Sequence, residues 1–296
     1  MLKLTIGMPV FNDVAFIDAS LRSILAQEDI SFKLIISDDG STDGSADICL
    51  DYASKDSRIS YIRQPINLGI SRNMEYLLAA CDTPFFMWAG DDDLWDPRFC
   101  KILIDKLEQN PNAVSAFTYY YEIDEKDQRI EPPYTYDFSG KNAFTRIRKL
   151  VQTTNDGFGY GIFRYEAIKD VRFPVWWWPN KKTPYNNIFP TLCYYLAQGD
   201  YALYTEDFLF LKRVKTEKNT NHLLVGQGNG IKELSAYFLR RFNMVFICLR
   251  YIRRSQGFLL TFRLAPIIYY RWWIVSFSQQ FSSAYRFIWK RIFQRS

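Results

Sequence analysis

Three consecutive carboxylates, Asp91, Asp92 and Asp93, stand directly behind an apolar run, Phe85-Phe86-Met87-Trp88-Ala89. Adjacent carboxylates repel one another until a cation arrives, and hard oxygen ligands of this kind suit Mg²⁺ or Mn²⁺. A divalent ion held there would in turn hold a phosphorylated ligand. A short, wholly apolar run is typical of a central strand in a parallel sheet covered on both faces. Ligands gather at the carboxyl ends of such strands, so the acids fall where a site belongs. Gly90 permits a sharp turn between strand and acids, and Trp95 and Pro97 close the loop. Taken alone, the triplet reads better as a solvated acidic turn that caps a helix over Arg98–Gln109. The residues upstream decide between the two.

Those residues place more polar groups at strand ends. The strand Leu2–Val10 runs into Phe11-Asn12-Asp13. Phe16, Ile17, Leu21, Ile24 and Leu25 then recur at helical spacing, predicting an amphipathic helix over Val14–Gln27. The strand Phe32–Ser37 ends in Asp38-Asp39-Gly40-Ser41-Thr42-Asp43-Gly44, a tight turn whose Ser, Thr and Asp can cap a helix over Ser45–Ser54. A strand over Ile59–Arg63 is followed by Asn67-Leu68-Gly69-Ile70-Ser71-Arg72-Asn73 and a helix over Met74–Cys81. Strand and helix alternate four times at βαβ spacing, which predicts an α/β fold with a doubly wound, mainly parallel sheet. Its rim would gather Asn12, Asp38, Asp39 and the triplet from the ends of three strands.

Four ordered motifs carry a family resemblance: Pro9-Val10-Phe11-Asn12, Asp38-Asp39-Gly40-Ser41-Thr42-Asp43, Asn67-x-Gly69-x-x-Arg72-Asn73, and Gly90-Asp91-Asp92-Asp93 with Trp95 and Pro97. Over about residues 1–110 the chain resembles family 2 glycosyltransferases of the GT-A fold. The resemblance implies a nucleotide-sugar donor, a divalent metal (Mn²⁺ or Mg²⁺), and sugar transfer with inversion to a saccharide or lipid-linked acceptor. It assigns Pro9, Phe11, Asn12, Asn67, Gly69, Asp91 and Asp92 to the nucleotide-sugar pocket. Asp39, with Asp38 beside it, would meet the base or ribose, and Arg72 would lie near the diphosphate. The triplet matches the metal-binding element of the family, whose usual first Asp is Gly90 here. The ligand must then come from Asp91, Asp92 or Asp93, and Asp92 and Asp93 are favoured.

The same resemblance expects an acidic pair before Leu192 to supply the general base, but Asn186-Asn187 stand there. Asp156, Asp200 and Glu206 are the substitutes, and Asp156, in a Gly-flanked loop before the acceptor segment Gly157–Arg164, is the expected base. Loss of the base would leave a non-catalytic nucleotide-sugar-binding or scaffold protein, the alternative reading. Nucleotidyl transfer fits less well, because Pro9–Asp13 lacks a Gly-rich, basic phosphate loop. Beyond the triplet, a strand is predicted over Ala113–Tyr121, irregular chain over 131–140 and a helix over Ala143–Val151. Trp176-Trp177-Trp178-Pro179 is an aromatic run that would anchor the core or stack on a sugar face. His222, the one histidine, sits in a polar loop and is given no role.

Composition divides the chain in two. Residues 231–296 hold twelve Lys or Arg and one acid, a net charge of +11; since the whole chain of 296 residues carries +5, the first 230 come to −6. Such asymmetry points to an anionic partner for the basic part. Its basic residues alternate with aliphatics, tyrosines and tryptophans, a pattern of basic amphipathic helices lying in an anionic membrane surface. No nucleic-acid motif is present. Leu259–Phe277 nears spanning length, but Arg263, Pro266 and Arg271 interrupt it. The expected organisation is therefore a catalytic domain over 1–225, a Gly-rich joint at 226–230 and a helical membrane-associating extension over 231–296. Five scattered cysteines with no CxxC pair read as buried thiols in a reducing compartment, and the run Met1–Ile6, leading directly into a strand, is not expected to act as a signal peptide. The expected location is the cytoplasmic face of the membrane.

Overall fold

The computed structural model describes residues 2–153, 156–173, 175–177, 184–186, 188–215 and 230–271; side chains at 175–177, 184–186, 230–243 and 255 are not described. Several sequence expectations fall outside these residues: the side-chain role of the tryptophan run, Asn187, His222, most of the Gly-rich joint, and Trp272, Trp273 and Trp289.

The βα alternation is present in full. Strand β1 (Leu4–Val10) precedes α1 (Ile17–Leu25), β2 (Phe32–Asp38) precedes α2 (Ser45–Lys55), and β3 (Ile59–Arg63) precedes α3 (Ile70–Ala79). Then follow β4 (Phe85–Trp88), the short β5 (Leu94–Trp95), α4 (Phe99–Gln109), β6 (Ala113–Ile123) and β7 (Arg129–Tyr134). The remainder is α5 (Ala143–Thr153), β8 (Ile162–Arg164), α6 (Tyr165–Ile168), β9 (Val175–Trp177), β10 (Pro184–Asn186), α7 (Phe189–Gln198), β11 (Asp200–Arg213) and α8 (Gly230–Tyr269).

One sheet of nine strands runs in the order β3-β2-β1-β4-β8-β6-β11-β5, with β7 on the side of β6. Strands β3, β2, β1 and β4 are mutually parallel. β8 is antiparallel to both β4 and β6, and β11 is parallel to β6. Two reversals restore the first direction, so β11 ends on the same rim as β1, β2 and β4. β9 and β10 form a separate antiparallel pair.

Burial explains the apolar runs. All four residues of β4 are buried, as are six of the seven in β1, because helices cover both faces. At Gly7 in β1 a Cβ would come within 2.9 Å of the Phe86 ring and 3.0 Å of Leu77 Cβ, so α3 closes tightly on the sheet there. Trp88 lies in an aromatic cluster with Phe86, Phe163, Phe173 and Tyr195 that joins β4 to β8 and α7. The segment expected to be irregular over 131–140 begins as strand β7, which pairs antiparallel with β6. Tyr134 stacks on Tyr120 at 4.9 Å, and that cross-strand contact outweighs the two prolines.

The C-terminal helix packs back onto this body. Met244, Val245, Cys248, Tyr251 and Ile252 are buried at helical spacing, and Leu264 and Ile268 continue the stripe, in one core with the sheet. Helix α8 contacts α7 and α5, with Gln256 Nε2 donating to the Ala197 carbonyl at 2.8 Å and Tyr251 OH to that of Arg172. The helix is interrupted at Gly257, whose φ of 78° only glycine adopts readily. Past that break Phe258, Leu259, Phe262, Tyr269 and Tyr270 are exposed. No described helix is long and apolar enough to cross a membrane.

Candidate functional site

The rim is built from loops stapled to one another by side chains. Asn12 takes a left-handed backbone (φ 53°) at the end of β1, which Asn tolerates better than most residues. Its Oδ1 accepts from the Thr42 N–H at 2.8 Å and its own N–H donates to Ser41 Oγ at 3.0 Å, tying the β1 loop to the β2 loop. Asp38 is fully buried: Oδ1 accepts from the Ser41 N–H at 2.8 Å and Oδ2 from Tyr61 OH at 2.7 Å. Burial raises its pKa, but these hydrogen bonds and Arg63 outweigh it and hold Asp38 below the usual carboxylate range. Asp39 accepts from the backbone N–H groups of Leu68 at 2.6 Å and Gly69 at 2.8 Å, which fixes the loop before α3.

The acidic triplet divides by environment. Asp91 Oδ2 accepts from the Phe11 N–H at 3.2 Å. Asp91, Asp92 and Asp13 each bring a carboxylate oxygen within 4.8 Å of the other two, a set able to hold a metal ion. Burial first, then the charges of Asp13 and Asp92, push Asp91 well above the usual carboxylate range, so the cluster is short of positive charge. Asp93 is turned inward. Its Oδ1 accepts from the Arg213 N–H at 2.8 Å, and a Cβ on Gly90 would lie 2.5 Å from its Oδ2. The Gly90 position thus has no room for a side chain while Asp93 folds beneath it. The cluster draws its third carboxylate from Asp13, at the end of β1, in the place expected of Asp93.

Two cations from the end of β11 complete this arrangement. Arg213, buried, donates from Nε to the Asp92 carbonyl at 2.8 Å and from Nη1 to the Asp124 carbonyl at 2.6 Å, and pairs with Asp127. Lys215 Nζ pairs with Asp92 at 2.6 Å and with Asp13. Burial lowers the Lys215 pKa, but Asp92 and Asp13 outweigh it and raise it. Helix α1 and the turn after it brace the same loop, with Ser20 Oγ donating to the Gly90 carbonyl at 2.8 Å and Gln27 Nε2 to the Asp96 carbonyl at 2.8 Å.

Beside the acids opens a cavity of about 530 Å³, a volume within the range of small-molecule sites. Pro9, Phe11, Asp39, Asn67, Gly69, Asp91 and Asp92 line it, which brings together seven of the residues expected of a donor pocket. Gly159, Tyr160, Phe173 and Ile188 close the far side. Asn12 and Asp38 stand behind the wall as the staples described above. Arg72 is outside the lining as well, paired with Glu75 at 2.6 Å on an exposed face of α3. No described residue lining the cavity is Lys or Arg.

The expected base, Asp156, precedes the turn Gly157–Tyr160 and is paired with Lys212 at 2.8 Å, its side chain about half exposed (48%). Of the other carboxylates considered, Asp200 starts β11 at the opposite end of the sheet from the acids, and Glu206 is exposed in the middle of that strand. Asn186 lies in β10. Three site residues were not anticipated: Asp13, Arg213 and Lys215. Asp13 carried a signal, an acid next to Asn12 at a strand end. The other two did not, because β11 reaches the rim only through the sheet order.

Comparison with known proteins agrees with this geometry. Residues 5–172 match the model of "Glycosyl transferase family 2". An uncharacterised glycosyltransferase of Rickettsia conorii is 30% identical over 152 residues, 49% of this chain and 23% of that protein. The chain spans under a quarter of the length of the curated relatives it matches first. The Campylobacter jejuni GalNAc(5)-diNAcBac-PP-undecaprenol beta-1,3-glucosyltransferase is 21% identical over 214 residues, 71% of this chain and 68% of that one. Among solved structures, Staphylococcus aureus TarS 1–349 with UDP-GlcNAc superposes with a TM-score of 0.60 at 13% identity, covering 86% of this chain and 68% of that one. The Pyrobaculum calidifontis mannosyltransferase PcManGT with GDP-Man and Mn²⁺ gives 0.51 at 12%, covering 99% and 88%. These structures share the GT-A fold with this chain. The chain belongs to glycosyl transferase family 2.

Proposed function

From that membership and the rim geometry, we propose that the chain is an inverting glycosyltransferase. It moves a sugar from a nucleoside-diphosphate donor to a saccharide or lipid-linked acceptor in the making of a cell-surface glycan. One observation carries the reading: three carboxylates from two strand ends, Asp13, Asp91 and Asp92, converge, and the last two line a cavity with Pro9, Phe11, Asp39, Asn67 and Gly69. The cluster fits Mn²⁺ or Mg²⁺ in ligand type and number, and TarS and PcManGT were solved with donors and, in the second case, Mn²⁺. Such an ion, when bound, neutralises charge building on the leaving diphosphate.

The chain's own residues supply the rest. Asp39 and Asn67 meet the nucleoside, and Asp91 and Asp92 face the diphosphate. Tyr160, Phe173 and Ile188 wall the sugar side. The acceptor hydroxyl needs a carboxylate within reach of its proton; we assign this to Asp156, beside the turn that carries Gly159 and Tyr160 to the cavity. The alternative, a nucleotide-sugar-binding scaffold without catalysis, is favoured by Asn186 at the expected position of the base.

The helical extension fits attachment to an anionic membrane. Arg250, Arg253, Arg254 and Arg263 are exposed on α8 together with Phe246, Phe258, Leu259 and Phe262, the charge and aromatic pairing that seats a helix at a headgroup surface. A lipid-linked acceptor, like the undecaprenol-linked one named for the Campylobacter relative, lies at that surface.

Calorimetric titration with UDP, GDP and other nucleoside diphosphates, with and without Mn²⁺, tests the donor site. Metal-dependent binding of one nucleotide, lost in Asp92→Ala, is the expected result. Absence of binding to any nucleotide by folded protein would reduce the triplet to a loop.

A further inference from the structure

The acidic cluster already holds a cation belonging to the chain. Lys215 Nζ lies 2.6 Å from Asp92 Oδ2 and also bonds Asp13, so it bridges two of the three carboxylates that could take a metal. The lysine side chain is nearly buried, at 11% exposure, and is steadied from the other side by the Phe16 ring 4.9 Å away. An ammonium and a divalent ion on the same two carboxylates compete for lone pairs and repel one another at that separation. Meanwhile no described residue lining the cavity is cationic, and Arg72 is occupied by Glu75. Among the described residues, a diphosphate at this wall therefore has no fixed cationic partner on the cavity surface.

We propose that Lys215 is an exchangeable counter-cation of the donor site. In the metal-free protein it stabilises Asp13 and Asp92; on divalent-cation binding it swings off them and pairs with the diphosphate of the donor. Its position makes this exchange short. Residues 200–213 are held in the sheet by β6, and Arg213 is fixed by Asp92, Asp93 and Asp124, so Lys215 moves about an anchored base two residues away. Asp13 and Asp92 are thus met by the +1 of the lysine at rest and by the +2 of the metal when it is in place, with the released +1 passed to the phosphates. Lys215 is on this account a positioning and donor-binding residue, and the inference rests on the metal-dependent reading above.

The test is calorimetric titration of Mn²⁺ into metal-free protein, followed by UDP at saturating Mn²⁺, for the wild type, Lys215→Met and Lys215→Arg. Lys215→Met should bind Mn²⁺ alone about tenfold more tightly than the wild type, because the competitor is gone, and bind UDP about tenfold more weakly once the metal is present. Lys215→Arg should stay close to the wild type in both. Equal Mn²⁺ affinity in wild type and Lys215→Met overturns the exchange while leaving the metal site standing. UDP binding that needs no Mn²⁺ and vanishes in Lys215→Met also overturns it, by making the lysine a replacement for the metal. Binding of UDP with no Mn²⁺ uptake in any variant sinks the metal reading and the exchange together. A wild-type measurement covers the case of a variant that does not fold: Lys215 should become more reactive to amine labelling when Mn²⁺ is added, and unchanged labelling counts against the proposal.

Discussion

The rim of the sheet and the outer face of α8 are opposite solutions to placing charge. At the rim every carboxylate singled out has partners within the chain. Asp38 and Asp39 accept hydrogen bonds at both oxygens, Asp93 is held by Arg213, and Asp92 and Asp13 by Lys215. On α8, Arg253 and Arg254 are exposed and Phe258, Leu259 and Phe262 reach about 70% exposure. The first region is organised before any ligand arrives; the second presents chemistry that an external surface would complete. Substitutions should therefore act inwardly at the rim, on stability and ligand binding, and outwardly on α8, on association alone.

The largest effect is expected from Asp92→Asn. Removing one charge from the cluster should lower metal-dependent nucleotide affinity by two orders of magnitude or more, roughly 3 kcal/mol, read by calorimetry; a change below threefold would erase the distinction drawn for the rim. Next comes Arg213→Met, which strands the Asp92 and Asp124 carbonyls and unpairs Asp127 while keeping the backbone N–H that Asp93 accepts from. With about 1–3 kcal/mol for each buried group left unsatisfied, a loss of about 3–5 kcal/mol should appear in urea unfolding. A loss under about 1 kcal/mol would mean that water takes over these bonds. On the other region, Phe258→Asp with Phe262→Asp should abolish sedimentation with anionic vesicles and leave the thermal midpoint within about 2 °C, since both side chains are largely exposed and stack on each other. A drop in stability would reveal that this face is covered.

Asp38→Asn should cost about 1–3 kcal/mol and alter the acid limb. Asp38 titrates lower in the folded than in the unfolded chain, so its contribution is present above the unfolded pKa and is lost as pH falls through the folded one. The wild type should lose stability over that acidic window more steeply than the variant does. The smallest effect belongs to Arg72→Ala. An exposed pair with Glu75 is worth about 0–1 kcal/mol, and nucleotide affinity should change less than threefold; a larger loss would bring Arg72 back to the diphosphate.

Much of the donor half was legible because its signals are local. Strand, turn residue and acid are contiguous at Phe85–Asp93 and at Phe32–Asp43, so the βα order and the rim follow from reading along the chain. Asp93 lies outside the carboxylate cluster for a non-local reason: its inward turn is tied to Arg213, 120 residues later. Lys215 was unreadable for the same reason, since nothing near it marks the end of β11 as a rim position. Arg72 shows a helical alternative that its motif conceals, Glu75 one turn on. In the second half the periodicity of α8 was visible as apolar and basic residues, but its burial against α7 and α5 depends on tertiary packing.

The long reach of β11 also orders events during synthesis. Once residue 97 has been made, all four motifs of the first half exist, yet Asp92 and Asp93 still lack the groups that hold them in the finished protein. They acquire them only when residues 213–215 have emerged and β11 has inserted between β6 and β5. Contacts this distant in sequence form late, since their loop-closure cost precedes any gain. A nascent or truncated chain ending before Arg213 would carry the complete signature of a donor pocket without the groups that hold its acids, so the last strand of the sheet acts as the checkpoint for the first residues of the site.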